Sequence, residues 1–239
     1  MPDHRKAFKR PPKRFEPRGL SILHEDHDIV VVDKACGLLT NATEKGNEKT
    51  AHSLLGDYVR KGNSKSKNRV FIVHRLDRET SGILIFAKSE EAKSFLMLEW
   101  PKFEKKYVAV VHGAMSEPQG RIESYLAESG THRVYSVKNP DEGKLAQTRF
   151  QVLRTTDQYS LLELELLTGR KHQIRVHLSD EGCPVVGDKK YGASPKGVKR
   201  LALHARSLTI AHPHSKEPMT FNTKIPGYFT SLMAGSAPV

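Results

Sequence analysis

Asp77 stands in the segment His74-Arg75-Leu76-Asp77-Arg78-Glu79-Thr80-Ser81-Gly82, a carboxylate between two arginines and ahead of a Thr-Ser-Gly turn. The flanking cations favour an ionised carboxylate, the form able to act as a nucleophile or base. By composition alone a structural salt bridge is the commoner explanation of such a cluster. A second polar segment, Arg170-Lys171-His172-Gln173-Ile174-Arg175-Val176-His177, offers further candidates. There Ile174 reads equally as an ordinary packing residue of a helix. His74, His172 and His177 are three of 12 histidines. Their spacing is not that of an H-E-x-x-H helix, and no metal is expected. Residues 187–192 lack the order of a phosphate-binding loop and are expected to form a structural turn; no cofactor motif is present.

The elements that must hold these residues read as a series of short strands. The loop at 74–82 lies between the apolar runs Val70 to Val73 and Ile83 to Phe86. It is too long and too charged for a tight hairpin turn, which predicts a functional loop carried on rigid strands. Ile29-Val30-Val31-Val32 predicts a strand buried on both faces and opens the folded body. A helix is expected over 51–60, then a solvated loop at 61–68. Ser89 is a candidate N-cap, with Glu90 and Glu91 in the first turn and Pro101 beyond the end. Strands are expected at 107–111, 148–153 and 160–167, the last with Leu162, Leu164 and Leu166 facing the core. A short helix from His172 to Asp180 closes on Gly182, and Leu208 with Ile210 should pair with Met219 and Phe221. Many strands, few helices and no steady alternation predict an α+β domain on a central, mostly antiparallel mixed sheet flanked by helices and loops.

Charge narrows the partner. The 239 residues carry 39 Lys and Arg against 27 Asp and Glu, a net charge of +12. That excess attracts a polyanion over a Debye length, so nucleic acid is the first partner to test. No long apolar run or amphipathic basic helix points to a membrane. Cys36 and Cys183 form no C-x-x-C pair, which fits a reducing compartment, and the basic amino terminus lacks the apolar stretch of a secretory signal. A cytoplasmic location follows as the expectation. Residues 1–19 read as a basic, Pro-rich flexible tail, 20–230 as one catalytic domain and 231–239 as a short C-terminal tail.

The string around Asp77 resembles the H-R-L-D-x-x-T-S-G signature of the RluA-type pseudouridine synthases. Lys105-Lys106-Tyr107 resembles that family's K-x-Y segment, and residues 167–177 resemble its G-R-x-H-Q-[IL]-R-x-H segment. Gly187 to Gly192 and Leu201 to Ala205 also match, so the likeness spans roughly residues 21–227. It implies the pseudouridine synthase fold and an isomerase that needs no metal or cosubstrate. Carried over residue by residue, it makes Asp77 the catalytic carboxylate and Arg75 the side chain that fills the space left by a flipped nucleotide. Tyr107 stacks on the uracil or handles its proton, and Arg175 pairs with the catalytic carboxylate. Ile174 lines the base, while Arg170, His172 and Gln173 contact RNA or support the site. Asp33-Lys34-Ala35-Cys36-Gly37-Leu38 departs from the pattern, with Ala35 where the family has proline and an unusual Thr40-Asn41-Ala42 after it. These changes put local loop rigidity in question.

The expected substrate is a uridine in ribosomal or transfer RNA, the expected state a monomer without a protein partner. A catalytically inactive RNA-binding protein of the same fold is the alternative. An RNA hydrolase pairing Asp77 with a histidine is a third reading and would shorten its substrate.

Overall fold

The computed structural model describes residues 8–42, 48–63, 65–192, 198 and 200–234. In chain order its elements are β1 (Leu20–Glu25), β2 (Ile29–Lys34), α1 (Ala51–Arg60), β3 (Phe71–Ile72), β4 (Ser81–Ala87), α2 (Glu90–Glu99), β5 (Glu104–His112), β6 (Gln119–Glu128), β7 (Val134–Val137), β8 (Lys144–Thr155), β9 (Tyr159–Leu166), α3 (Gln173–Asp180), β10 (Leu203–Ala211), β11 (Pro218–Asn222) and α4 (Gly227–Met233). Strands and helices do not alternate, which makes this an α+β fold. The chain divides into two compact units. Met1–Phe103 with Ser207–Thr223 form the first, and Glu104–Arg206 with Lys224–Val239 form the second.

In the first unit β2 runs antiparallel to both β1 and β4, in the register Leu20↔Lys34 and Lys34↔Gly82. The valines of β2 are wholly buried, as a continuous β-branched run requires. Leu208 and Ile210 of β10 pair with Phe221 and Met219 of β11, as expected. Ile29, Val31, Ile83 and Ile85 meet Ala92 and Leu96 of α2 and Leu208, Ile210 and Phe221 in one core. Ser89 caps α2 by accepting from the Ala92 N–H at 3.1 Å. Thr50 caps α1 in a capping box with Ser53, and Ala51, Leu55 and Val59 give that helix its buried stripe.

Two expectations need correction here. The folded body does not open on β2, because β1 precedes it and supplies its antiparallel partner. Of the run at 70–73, only Phe71 and Ile72 pair, against Ala87 and Phe86. Lys13–Phe15 form a 3-10 turn, and Glu16 accepts from the Ile22 N–H at 3.1 Å and from Arg10 Nε at 3.0 Å. Residues 1–7 and 235–239 of the expected tails lie outside the described residues.

In the second unit the strands pair antiparallel in the order β5, β9, β8, β6 and β7, with Tyr107↔Leu164 and Phe150↔Leu164 fixing the register. Leu162 and Leu164 are fully buried among Val108, Val110, Ile174, Leu178, Phe229 and Leu232. Leu166 is only partly buried, at the edge of that core. Gly182, at φ +74°, ends α3 as expected.

Candidate active site

The register of the first unit sets where Asp77 lies. Because Lys34 ends β2 opposite Gly82 at the start of β4, the loop after β2 and the loop before β4 leave the sheet side by side. They are then joined by hydrogen bonds. The Gly37 N–H donates to Arg78 O at 2.8 Å, and Arg78 Nε donates to Gly37 O at 3.1 Å. Thr40 Oγ1 donates to Leu76 O at 2.8 Å and accepts from the Leu76 N–H at 3.2 Å. Both residues flanking Asp77 are therefore fixed through their backbone. The Thr80 N–H closes a turn on Asp77 O at 3.1 Å. Leu76 is buried, Asp77 half-buried and Arg75 exposed.

Beneath this loop lies Lys34, a wholly buried lysine. Its ammonium donates to Leu38 O at 2.8 Å, Ala35 O at 3.2 Å and Arg78 O at 3.3 Å. Burial lowers its pKa to about 8, against the opposing pull of Cys36, Asp77, Glu79 and Asp33. A buried ammonium survives only when its donors are satisfied, and here the satisfied donors tie the two loops together. His74, at the loop's start, accepts from the Ile85 N–H at 3.2 Å and stacks on Trp100 with ring centroids 4.2 Å apart.

In the second unit Arg175, on α3 and only 7% exposed, grips Asp188 with two donors. Nε reaches Oδ2 at 2.7 Å and Nη2 reaches Oδ1 at 2.8 Å. Burial would raise the Asp188 carboxyl, but Arg175 and the Lys190 and Tyr191 N–H groups overrule it and hold it below the usual range. The Tyr191 ring lies 5.1 Å from the Arg175 guanidinium carbon, and its hydroxyl meets the Val134 N–H at 3.0 Å and His172 Nδ1 at 2.7 Å.

The other expected residues of this unit fall into place around α3. Gln173 is buried, and its amide is saturated. Oε1 accepts from Thr168 Oγ1 and the Arg170 N–H at 2.8 and 3.0 Å, and Nε2 donates to Gln147 O and Thr148 Oγ1 at 2.9 and 3.0 Å. That pattern supports a clamp on the loop at 167–172. Ile174 is part of the core, as its packing reading anticipates. Arg170 is exposed and donates from Nε to Leu145 O at 3.0 Å. Tyr107 is half-buried on β5 against the same core. His177 is fully buried between Thr148 Oγ1 and Ser124 Oγ, at 2.9 and 3.1 Å. Sequence reasoning missed Lys34 and Asp188. The first was signalled by a cation ending an apolar strand, the second by an acid in the turn 187–192.

One group of described residues has the composition of a metal site, with Asp26, Asp28 and His212 placing ligand atoms within 4.8 Å of one another. His212 Nδ1 accepts from the backbone N–H groups of His214 and Ser215 at 3.3 and 3.2 Å. The ring proton is therefore on Nε2, which faces Asp26 Oδ2 at 3.2 Å. A metal would need that lone pair, so the cluster is a hydrogen-bonded clamp between two hairpins of the first unit.

Residues 28–180 match the family model described as RNA pseudouridylate synthase, and the chain belongs to that family. It is 35% identical to an uncharacterised RNA pseudouridine synthase of Bacillus subtilis (strain 168), over 89% of this chain and 71% of that protein. It is 33% identical to ribosomal large subunit pseudouridine synthase D of Haemophilus influenzae, over 92% of this chain and 72% of the other. The structure of human RNA pseudouridylate synthase domain containing 4 superposes with a TM-score of 0.75 at 25% identity, covering 89% of this chain and 91% of that one. The protein is an isomerase whose substrate is RNA. No described helix is long and apolar enough to cross a membrane.

Proposed function

We propose that Asp77 is the carboxylate that opens the N-glycosidic bond of the target uridine, after which the uracil turns and rejoins the ribose through carbon. Arg75 takes the place of the flipped nucleotide, Tyr107 holds the base and Arg175 holds the charge of the catalytic carboxylate. Arg170 and His172 serve the RNA or the site's support. The observation that carries this reading is the bracing of Asp77, whose two neighbours are pinned by Thr40, Gly37 and the buried Lys34. A nucleophile held this way loses little entropy on reaching its attack geometry. Arg75 is exposed on the same loop, as a side chain that enters a nucleic-acid stack must be.

Because a relative is named for the large ribosomal subunit, large-subunit ribosomal RNA is the first substrate to try and transfer RNA the second. We take residues 20–230 as one catalytic domain, acting as a cytoplasmic monomer without a protein partner. The test is to map pseudouridines in cellular RNA from strains carrying the wild-type chain or Asp77→Asn. At least one site should vanish in the variant. Retention of every site by a folded Asp77→Asn protein would overturn the assignment, and sites absent from both strains would favour an RNA-binding role.

A further inference from the structure

We infer that the stretch between α1 and β3 is a docking track for the phosphate backbone of the RNA, built from Arg60, Lys61, Lys65, Lys67 and Arg69. Only the position of the target uridine, marked by Asp77, is taken from the proposed function. Between Asp57 and Asp77 the sequence carries six Lys and Arg and not one Asp or Glu. Arg60, Lys61, Lys65, Lys67 and Arg69 are all exposed. Several exposed cations elsewhere sit against acids, with Arg10 on Glu16, Lys102 on Glu99, Arg121 on Glu123 and Arg149 on Glu165. Among the described residues, none of the five at 60–69 pairs with a carboxylate. Their charge is left for a partner from outside the chain.

A braced loop presents these cations. The Asn63 N–H donates to Arg60 O and the Ser66 N–H to Asn63 O, both at 3.0 Å. The Asn63 side chain accepts from the Lys65 N–H at 3.0 Å, and Ser66 Oγ accepts from the Asn68 N–H at 3.2 Å. Asn68 Nδ2 then donates to Val59 O at 3.2 Å, which returns the loop to α1, and His52 Nε2 meets Val70 O at 3.0 Å beyond it. Arg69 rests on Phe71, its guanidinium carbon 5.7 Å from the ring centroid. A loop ordered beforehand gives up less entropy on binding. Arg60 and Lys61 also suit the carbonyl end of α1, but Lys65, Lys67 and Arg69 have no such use within the fold. Like charges gathered there repel one another. Residues 60–69 hold no apolar side chain, and stable membrane adhesion adds an apolar or lipid anchor to charge, whereas a phosphate backbone asks for charge alone. From Arg69 to Asp77 the chain can span at most about 29 Å. The phosphates engaged therefore lie within about eight nucleotides of the target on a stacked strand, at about 3.4 Å each.

The experiment compares the full chain with a triple variant, Lys65→Gln, Lys67→Gln and Arg69→Gln, and with a control of equal charge loss, Lys102→Gln, Arg121→Gln and Arg149→Gln. RNA affinity is measured from about 0.05 to 0.3 M salt, with turnover and thermal melting on the same preparations. The patch variant should lose about 10- to 100-fold in affinity at about 0.1 M salt, and its slope of log affinity against log salt should be shallower by about 2–3. KM should rise accordingly, with kcat within about twofold and melting unchanged. The control should keep the wild-type slope to within about 1. An unchanged slope in the patch variant, equal changes in patch variant and control, or a fall in kcat alone would each overturn the inference. So would intact RNA affinity with lost binding to phosphatidylserine vesicles, which would assign the patch to a membrane surface. If the triple variant does not fold, Lys65→Gln and Lys67→Gln taken singly should each lower the slope by about 1, and no change in either would reject the track. Because binding is read without turnover, an active Asp77→Asn would sink the reading of the catalytic site and leave this measurement to decide the patch.

Discussion

The hydroxyl of Thr40 bonds both backbone groups of Leu76, donating to the carbonyl at 2.8 Å and accepting from the N–H at 3.2 Å. The residue immediately before Asp77 is therefore held by one side chain 36 positions upstream. The departure around Ala35 and Thr40 raised the question of loop rigidity; here a side chain performs the bracing.

Replacing Thr40 with valine keeps its volume and removes both bonds. With Thr40 and Leu76 buried, two backbone groups lose their partner, at about 1–3 kcal/mol each. We expect a lower urea midpoint and a lower kcat with RNA affinity unchanged. Equal kcat in the two proteins would show that the loop needs no such pin.

Lys34→Met should cost more in activity than in stability. The variant no longer buries a charge, worth several kcal/mol, which offsets the loss of three carbonyl partners at about 1–3 kcal/mol apiece. The Arg78 carbonyl, however, loses its ammonium anchor. Denaturant unfolding and turnover measured on the same preparation separate the two effects, and full turnover would refute the bracing role.

Gly187→Ala should be poorly tolerated. Its Cβ would lie 2.1 Å from the Arg200 carbonyl at a backbone angle that costs an L-residue about 1–2 kcal/mol before any clash. Low soluble yield and a depressed melting temperature are expected. A variant melting within a degree of wild type would show that the turn relaxes freely.

His177 makes the protein acid-sensitive. Desolvation depresses its pKa from 6.5 to about 4, so the folded state takes up its proton later than the unfolded state. Its share of stability is complete above pH 6.5 and is lost as pH falls towards 4, about 2 kcal/mol by pH 5. The urea midpoint should fall over that window. His177→Asn should flatten the dependence, and an unchanged slope would place the titration elsewhere.

How far the sequence discloses this molecule follows from the range of its signals. The Asp77 loop is legible because its chemistry lies in one contiguous string between two apolar runs. The β2 strand is legible because β-branched residues in a row have few other uses. In β6, by contrast, Ile122 and Leu126 are its only buried side chains, too sparse to show a period of two. Lys34 reads as a surface lysine until the topology wraps three carbonyls around its tip. The Arg175–Asp188 pair spans 13 residues and a turn that looks merely structural, so its partnership exists only in three dimensions.

The division of the chain has a consequence for its synthesis. The core of the first unit contains Leu208, Ile210 and Phe221, yet residues 104–206 of the second unit are translated before any of them. At about 5–20 residues per second, the ribosome leaves the apolar surface of the first unit incomplete for roughly 5–20 s. The second unit also awaits Phe229, Leu232 and Met233, which are translated later still. Neither core can be completed before those late residues emerge, so unpaired β-strands stay exposed for that interval.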